Sequence, residues 1–119
     1  MKNLALVVLD GNLVRDPETK KTKTEKTVTT FHVALNHEWG SKDGSKTVSY
    51  IPIETWEKTA ETCAAYLKKG RHVLIEGSLR QDRWQDEKGD PHSRIKVVAQ
   101  TVRFVGARPD QENQTEEAA

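Results

Sequence analysis

The sequence contains a single cysteine, Cys63, among its 119 residues. One cysteine excludes both an internal disulfide framework and a cysteine-rich zinc site. No apolar run approaches the roughly 18 residues that a membrane-spanning helix needs, and the N-terminus lacks the long apolar stretch and cleavage site of a secretory signal. These absences predict a soluble, cytoplasmic domain with no membrane contact.

The motifs that carry catalysis or hold a metal are also missing. The chain has no GxxxxGK[ST] phosphate loop, no GxSxG and no HExxH. Its four histidines are scattered along the sequence, and none lies in a metal-ligand motif. We therefore expect a protein that is not an enzyme and that has no catalytic residue, metal site or cofactor.

An excess of charge of one sign is absent from the chain as a whole, since 19 Lys and Arg face 18 Asp and Glu. The distribution is uneven, because residues 1–106 carry 18 basic and 14 acidic side chains, a net charge of +4. That small excess is compatible with binding to a polyanion. Residues 107–119 are acidic and polar, so we predict a folded domain over 1–106 and a disordered tail over 107–119.

Apolar periodicity predicts five strands. The run LALVVL at 4–9 suits a strand that is covered on both faces, and an alternating pattern marks the other four. The polar segment 16–26 reads as a turn and loop, and 85–91 as a hairpin tip. The alternating segments are 27–35, 48–56, 72–79 and 94–105.

A helix is predicted between the third and fourth strands, because Ala60, Cys63, Ala64 and Leu67 recur at helical spacing. Three strands, one helix and two further strands are the layout of the OB fold, an all-β, five-stranded, partly open barrel. Here the last two strands would form an extended hairpin. OB barrels bind oligonucleotides on the face of strands 2 and 3 and on the adjoining loops.

Aromatic residues are few: three Trp, two Tyr and two Phe. Phe31 and Phe104 lie on apolar strand faces and are predicted core residues, and Tyr66 is interpreted as packing on the helix. The other four occupy polar surroundings. Any one of them could pack beneath its own strand or loop, but four exposed rings together indicate a binding surface. They are Trp39, Tyr50, Trp56 and Trp84.

Single-stranded nucleic acid is the ligand that suits exposed rings beside cations. Stacking of a base on an aromatic side chain contributes about 1–3 kcal/mol with little sequence preference, while Lys and Arg neutralise phosphates. Two alternatives stay open: an OB-fold replication accessory protein that acts mainly through protein partners, and an RNA-binding OB protein. The predicted phosphate-binding residues near the rings or in the first loop are Lys20, Lys42, Lys46, Lys58, Arg80 and Arg83.

From Leu4 to about Gly106 the chain resembles bacterial single-stranded DNA-binding proteins. GNLVRDPE (11–18) is similar to that family's first-strand turn, IPIETWEKTAETCAAYLKKG (51–70) to its third strand and helix, and HVLIEGSLRQDRWQDEKG (72–89) to its fourth strand and hairpin. The resemblance implies an OB-fold homotetramer, with a homodimer as the alternative. It also implies non-specific protection of single-stranded DNA during replication, recombination and repair, in the cytoplasm at the nucleoid.

The resemblance also carries over functional residues. It implies base stacking on the same four rings, Trp39, Tyr50, Trp56 and Trp84, and it adds Lys69 to the phosphate contacts. The chain departs from the family at two places. It ends in TEEAA, without the terminal hydrophobic pair that docks replication and repair proteins, so that docking is not implied here. Asp82 places a negative charge on a hairpin that is expected to be basic.

Overall fold

Six strands and one helix make up the residues that the computed structural model describes, 2–37 and 47–106. The sheet order is β1-β5-β6-β4-β3-β2, and an additional pairing of β1 with β3 closes a five-stranded barrel to which β2 is appended. This architecture confirms the predicted OB fold. The elements are β1 (Val7–Leu13), β2 (Glu18–Lys21), β3 (Thr27–His37), β4 (Thr47–Trp56), α1 (Glu57–Tyr66), β5 (His72–Gln85) and β6 (Pro91–Phe104).

The barrel interior is filled by alternate residues of its strands, as the two-residue periodicity predicted. Phe31 and Val33 of β3, Ile53 of β4, Ile75 of β5 and Val97 of β6 are all buried. Because successive side chains of a strand point to opposite faces, the residues between these positions lie on the outside of the barrel. The core pattern therefore fixes which side chains the protein presents to a ligand.

The helix packs across one end of the barrel and is held there by buried threonines. The Thr29 hydroxyl donates a hydrogen bond to the carbonyl of Ala60 (2.8 Å), and the Thr55 hydroxyl donates to the carbonyl of Thr29 (2.8 Å). Cys63 is buried beside them, and burial raises the pKa of its thiol to about 12. Cys63 is therefore an inert core residue, because only the thiolate is nucleophilic.

The apolar stripe that predicted the helix continues to Leu67, one residue beyond the end of the helix in the structure. The helix ends at Tyr66, and Ala64 is exposed although Ala60, Cys63 and Leu67 are buried as predicted. Tyr66 lies against Phe104, with ring centroids 6.1 Å apart, so its predicted packing role is confirmed even though half of its surface stays exposed.

Two predictions near the N-terminus were wrong. Residues 18–21, within the segment interpreted as a loop, pair with β3 as a short exposed strand. The first strand begins at Val7, not at Leu4, and it is not covered on both faces. Leu4, Leu6 and Val8 are 93%, 66% and 56% exposed. The apolar run that predicted a fully buried strand thus leaves three large apolar side chains exposed at and before the start of β1.

The β5–β6 hairpin continues beyond the barrel as a two-stranded arm that reaches Gln85 and Pro91. At its base, Gln100 is left out of the ladder, because Gly77 pairs with Ala99 whereas the preceding Glu76 pairs with Thr101. Such a bulge shifts the alternation of a strand by one residue. Val97 and Ala99 on one side of the bulge and Val102 on the other are therefore all buried in the core. Within the described ranges, no helix has the length and apolarity needed to cross a membrane.

Candidate nucleic-acid interface

Two of the predicted stacking residues lie on the outward side of β4. Tyr50 stands opposite Ala34 of β3, and Trp56 stands opposite Val28. On its other side Val28 faces Lys20 of β2, so Lys20 and Trp56 flank the same small side chain. Tyr50 is 60% exposed and Trp56 is 37% exposed. Both rings are thus accessible to a ligand, and the cation Lys20 lies two strands away from Trp56.

The third ring, Trp84, lies on the hairpin arm. It stands opposite His92 of β6, and the two rings are stacked, with centroids 5.6 Å apart and an angle of 19° between their planes. His92 covers one face of the indole, while Trp84 as a whole stays 46% exposed. The stack therefore holds Trp84 in a defined orientation and leaves it one open face for a planar ligand.

The hairpin tip supports this stack through Asp86. One carboxylate oxygen of Asp86 accepts hydrogen bonds from the backbone N–H groups of Lys88 and Asp90 (both 2.9 Å), and the other lies 2.9 Å from Nε2 of His92. The His92 contact and then these backbone donors lower the pKa of Asp86. Asp86 therefore remains ionised at neutral pH and links the turn to the ring pair.

A charged network connects β4 to the hairpin arm. Lys96 of β6 places its ammonium 2.7 Å from Oε2 of Glu54 and 2.8 Å from Oδ2 of Asp82. The other oxygen of Glu54, Oε1, accepts a hydrogen bond from the indole N–H of Trp56 (2.9 Å). Because Lys96 touches side chains from β4 and β5, the outward sides of β4, β6 and β5 form one continuous surface. We call this surface the aromatic face.

The ion pairs shift the titration of the groups that form them. The hydrogen bond from Lys96 lowers the pKa of Asp82, and the charges of Lys96, Arg94 and Arg80 add to that effect. Burial alone would lower the pKa of Lys96, but its contacts with Asp82 and Glu54 outweigh burial and raise that pKa. Asp82, which departs from the expected basic hairpin, is thus a paired carboxylate among three cations.

The structure distributes the predicted cations over several places. Arg80 is exposed on the aromatic face, opposite Lys96, and Lys20 is exposed on β2, opposite Val28. Arg83 alternates to the other side of the hairpin and contacts Gln81. Lys58 lies in the first turn of α1, and Lys69 lies between α1 and β5, where its backbone N–H donates to Asp16. Three predicted residues, Trp39, Lys42 and Lys46, lie outside the described residues, as does the tail 107–119.

Sequence reasoning missed several residues that belong to this surface. An open groove beside Tyr50 is lined by Arg15 and His32. Lys96 and Arg94 follow the alternation of β6 onto the aromatic face, as His92 does beneath Trp84. The signal that could have found the β6 residues is the two-residue register counted back from the hairpin tip. Among residues 2–37 and 47–106, no group of three or more His, Cys, Asp or Glu is placed to hold a metal ion.

A small closed barrel of the OB type, with open rings and cations on one face, is the architecture of a nucleic-acid-binding module. A model of the single-strand binding protein family matches residues 4–105. The chain belongs to that family.

Relatives extend over most of the chain. The single-stranded DNA-binding protein of Caldanaerobacter subterraneus subsp. tengcongensis is 40% identical, over 93% of this chain and 79% of its own length. That of Thermotoga maritima is 38% identical, over 87% of this chain and 74% of its own. That of Treponema pallidum is 36% identical, over 90% of this chain and 61% of its own.

Proposed function

We propose that this protein binds single-stranded DNA without sequence preference and carries out no catalysis. The observation that carries the proposal is the aromatic face, on which Tyr50, Trp56 and Trp84 stay open beside exposed cations. Relatives named single-stranded DNA-binding protein support the same ligand. Such binding would protect the strands that are exposed in the cytoplasm during replication, recombination and repair.

The mechanism follows from the shape of the face. Each open ring offers a flat apolar surface, and every base has a matching π-face, so stacking does not select a sequence. Trp84 accepts a base on the side that His92 does not cover. Lys20 and Arg80, both exposed, would neutralise phosphates that run between the rings. The other predicted contacts of the same DNA strand are Trp39, Lys42, Lys46, Lys58, Lys69 and Arg83.

A titration with poly(dT), followed by tryptophan fluorescence, tests this proposal. Stacking of thymine on the open indoles should quench the emission at low salt. The affinity should fall as salt rises, with a log–log slope near −0.7 for each neutralised phosphate. Absence of quenching at a saturating ligand concentration would refute the proposal. Tighter binding of poly(U) than of poly(dT) would replace it with an RNA-binding function.

We also propose that the chain self-associates through the exposed apolar residues at and just before the start of β1, as a homotetramer or a homodimer. Leu4 and Leu6 precede β1, Val8 lies in it, and all three side chains are largely exposed. Contiguous exposed apolar residues of this kind mark interaction surfaces. A second copy can cover them with its own equivalent residues, because a two-fold contact joins identical patches.

Sedimentation equilibrium measures this association. The unchanged protein should sediment as an oligomer, and Leu6→Asp should shift it toward the monomer because a charge would be buried in the contact. Ala65→Asp, on the exposed side of α1, is the matched control and should leave the mass unchanged. A monomeric wild-type protein at micromolar concentration would contradict the proposed association.

A further inference from the structure

The aromatic face carries negative charge at the place where a polyanion is proposed to bind. Glu54 projects from β4 between Tyr50 and Trp56, and Asp82 projects from the hairpin arm. If these carboxylates acted on DNA only through their charge, they would repel phosphates and weaken binding. Their contacts suggest a different role, because both are held by Lys96, whose side chain is only 14% exposed.

Both oxygens of Glu54 have a partner. Oε1 accepts a hydrogen bond from the indole N–H of Trp56 (2.9 Å), and Oε2 accepts one from the ammonium of Lys96 (2.7 Å). The orientation of the Trp56 ring is therefore fixed by a carboxylate that is itself fixed by a largely buried cation. Hydrogen bonds that involve charged groups are shorter and stronger than neutral ones. A ring held before the ligand arrives loses less conformational entropy when a base stacks on it.

We propose that Glu54 and Lys96 are positioning residues that hold the Trp56 indole in the orientation that stacks a base. Asp82 anchors the same ammonium from the hairpin, so the ring on β4 and the hairpin arm share one support. This inference rests on the proposed function, since it assigns a role within the binding of single-stranded DNA. It predicts that a negative charge on the binding face strengthens the binding of a polyanion.

Glu54→Gln tests the sign of that prediction. The amide keeps the size of the side chain and removes its charge, but its nitrogen cannot accept a hydrogen bond, so either Trp56 loses its acceptor or Lys96 loses its contact with residue 54. We expect poly(dT) affinity to fall about threefold or more, as part of the stacking contribution of Trp56 is lost. The slope of affinity against salt should stay that of the wild type, because no phosphate contact is removed.

Glu18→Gln is the matched control. Glu18 lies on the same outward side, opposite Thr30, which in turn stands opposite Glu54. It is exposed on β2, and its carboxylate makes no hydrogen bond or ion pair with the described residues. Removing its charge should leave affinity unchanged or raise it about twofold, because only repulsion of phosphates is relieved. The two substitutions change charge identically, so opposite effects isolate the positioning role.

The indole N–H resonance of Trp56 supplies a readout without DNA. In ¹H–¹⁵N spectra of the full chain it should shift in Glu54→Gln and in Lys96→Met, and return toward the wild-type position in Lys96→Arg, which restores a cation between the carboxylates. Tighter poly(dT) binding by Glu54→Gln, or an indole resonance that does not move, would overturn the inference. Failure of the wild-type protein to bind poly(dT) would instead refute the proposed function itself.

Discussion

Replacement of Trp84 by alanine is expected to weaken poly(dT) binding about 5- to 150-fold. Removing one stacking platform costs about 1–3 kcal/mol, and each 1.4 kcal/mol corresponds to a factor of ten in affinity. The effect should be large because the His92 stack already holds the indole in place, so the wild-type protein loses little entropy on binding. Fluorescence anisotropy of a labelled dT oligomer at constant salt measures it.

Tyr66→Ala is the control for this experiment. Tyr66 is also a half-exposed aromatic residue, but it lies on α1 against Phe104 and away from the aromatic face. Its loss should change the affinity less than twofold, whereas Trp84→Phe should keep part of the binding because a smaller ring can still stack. Equal losses from Trp84→Ala and Tyr66→Ala would show that the face is not the binding surface.

Gly77→Ala is expected to have the largest effect on stability. A Cβ at this position would lie 2.1 Å from the carbonyl oxygen of Val98 and 2.8 Å from Cα of Ala99, and both of these atoms are backbone. The neighbouring strand β6 would have to move at the bulge in its pairing with β5. Overpacking of this kind costs about 3 kcal/mol, which is a large part of the stability of a small domain.

Guanidinium denaturation, followed by far-UV circular dichroism at a fixed protein concentration, measures this loss. Gly70→Ala provides the comparison. Gly70 has a positive φ of 89° but open space around its Cβ position, so alanine there should cost only the conformational penalty of about 1–2 kcal/mol. A Gly77→Ala protein as stable as Gly70→Ala would contradict the close approach of β5 and β6.

The barrel could be predicted from the sequence because its strands obey a simple rule. Residues such as Phe31, Val33, Ile53 and Ile75 alternate with polar neighbours, and burial of every second side chain follows directly. The short strand β2 could not be predicted in this way, because its sequence ETKK has no apolar residue. Its pairing depends entirely on the adjacent β3. Its register is a property of the hairpin, not of its own composition.

The exposure of three aromatic rings of the candidate site could be predicted from the sequence, whereas the ion pairs beside them could not. Polar surroundings indicated that Tyr50, Trp56 and Trp84 stay open, and all three are exposed. The sequence showed Asp82 only as an unpaired negative charge on a hairpin expected to be basic, because its partner, Lys96, is fourteen positions away in the chain. The two meet only through the pairing of β5 with β6. Contacts between distant residues of this kind depend on register, which composition does not encode.

The regular pairing of the hairpin arm has a consequence for how such proteins diverge. From Gly77 opposite Ala99 to Gln85 opposite Pro91, every residue of one strand faces one of the other. Insertion of two residues into each strand would extend the reach of the arm by about 7 Å and keep every side chain on its side. Insertion of a single residue into each strand would move the side chains beyond the insertion to the opposite face of the arm. Evolution can therefore adjust the length of this arm in steps of two without redesigning the barrel.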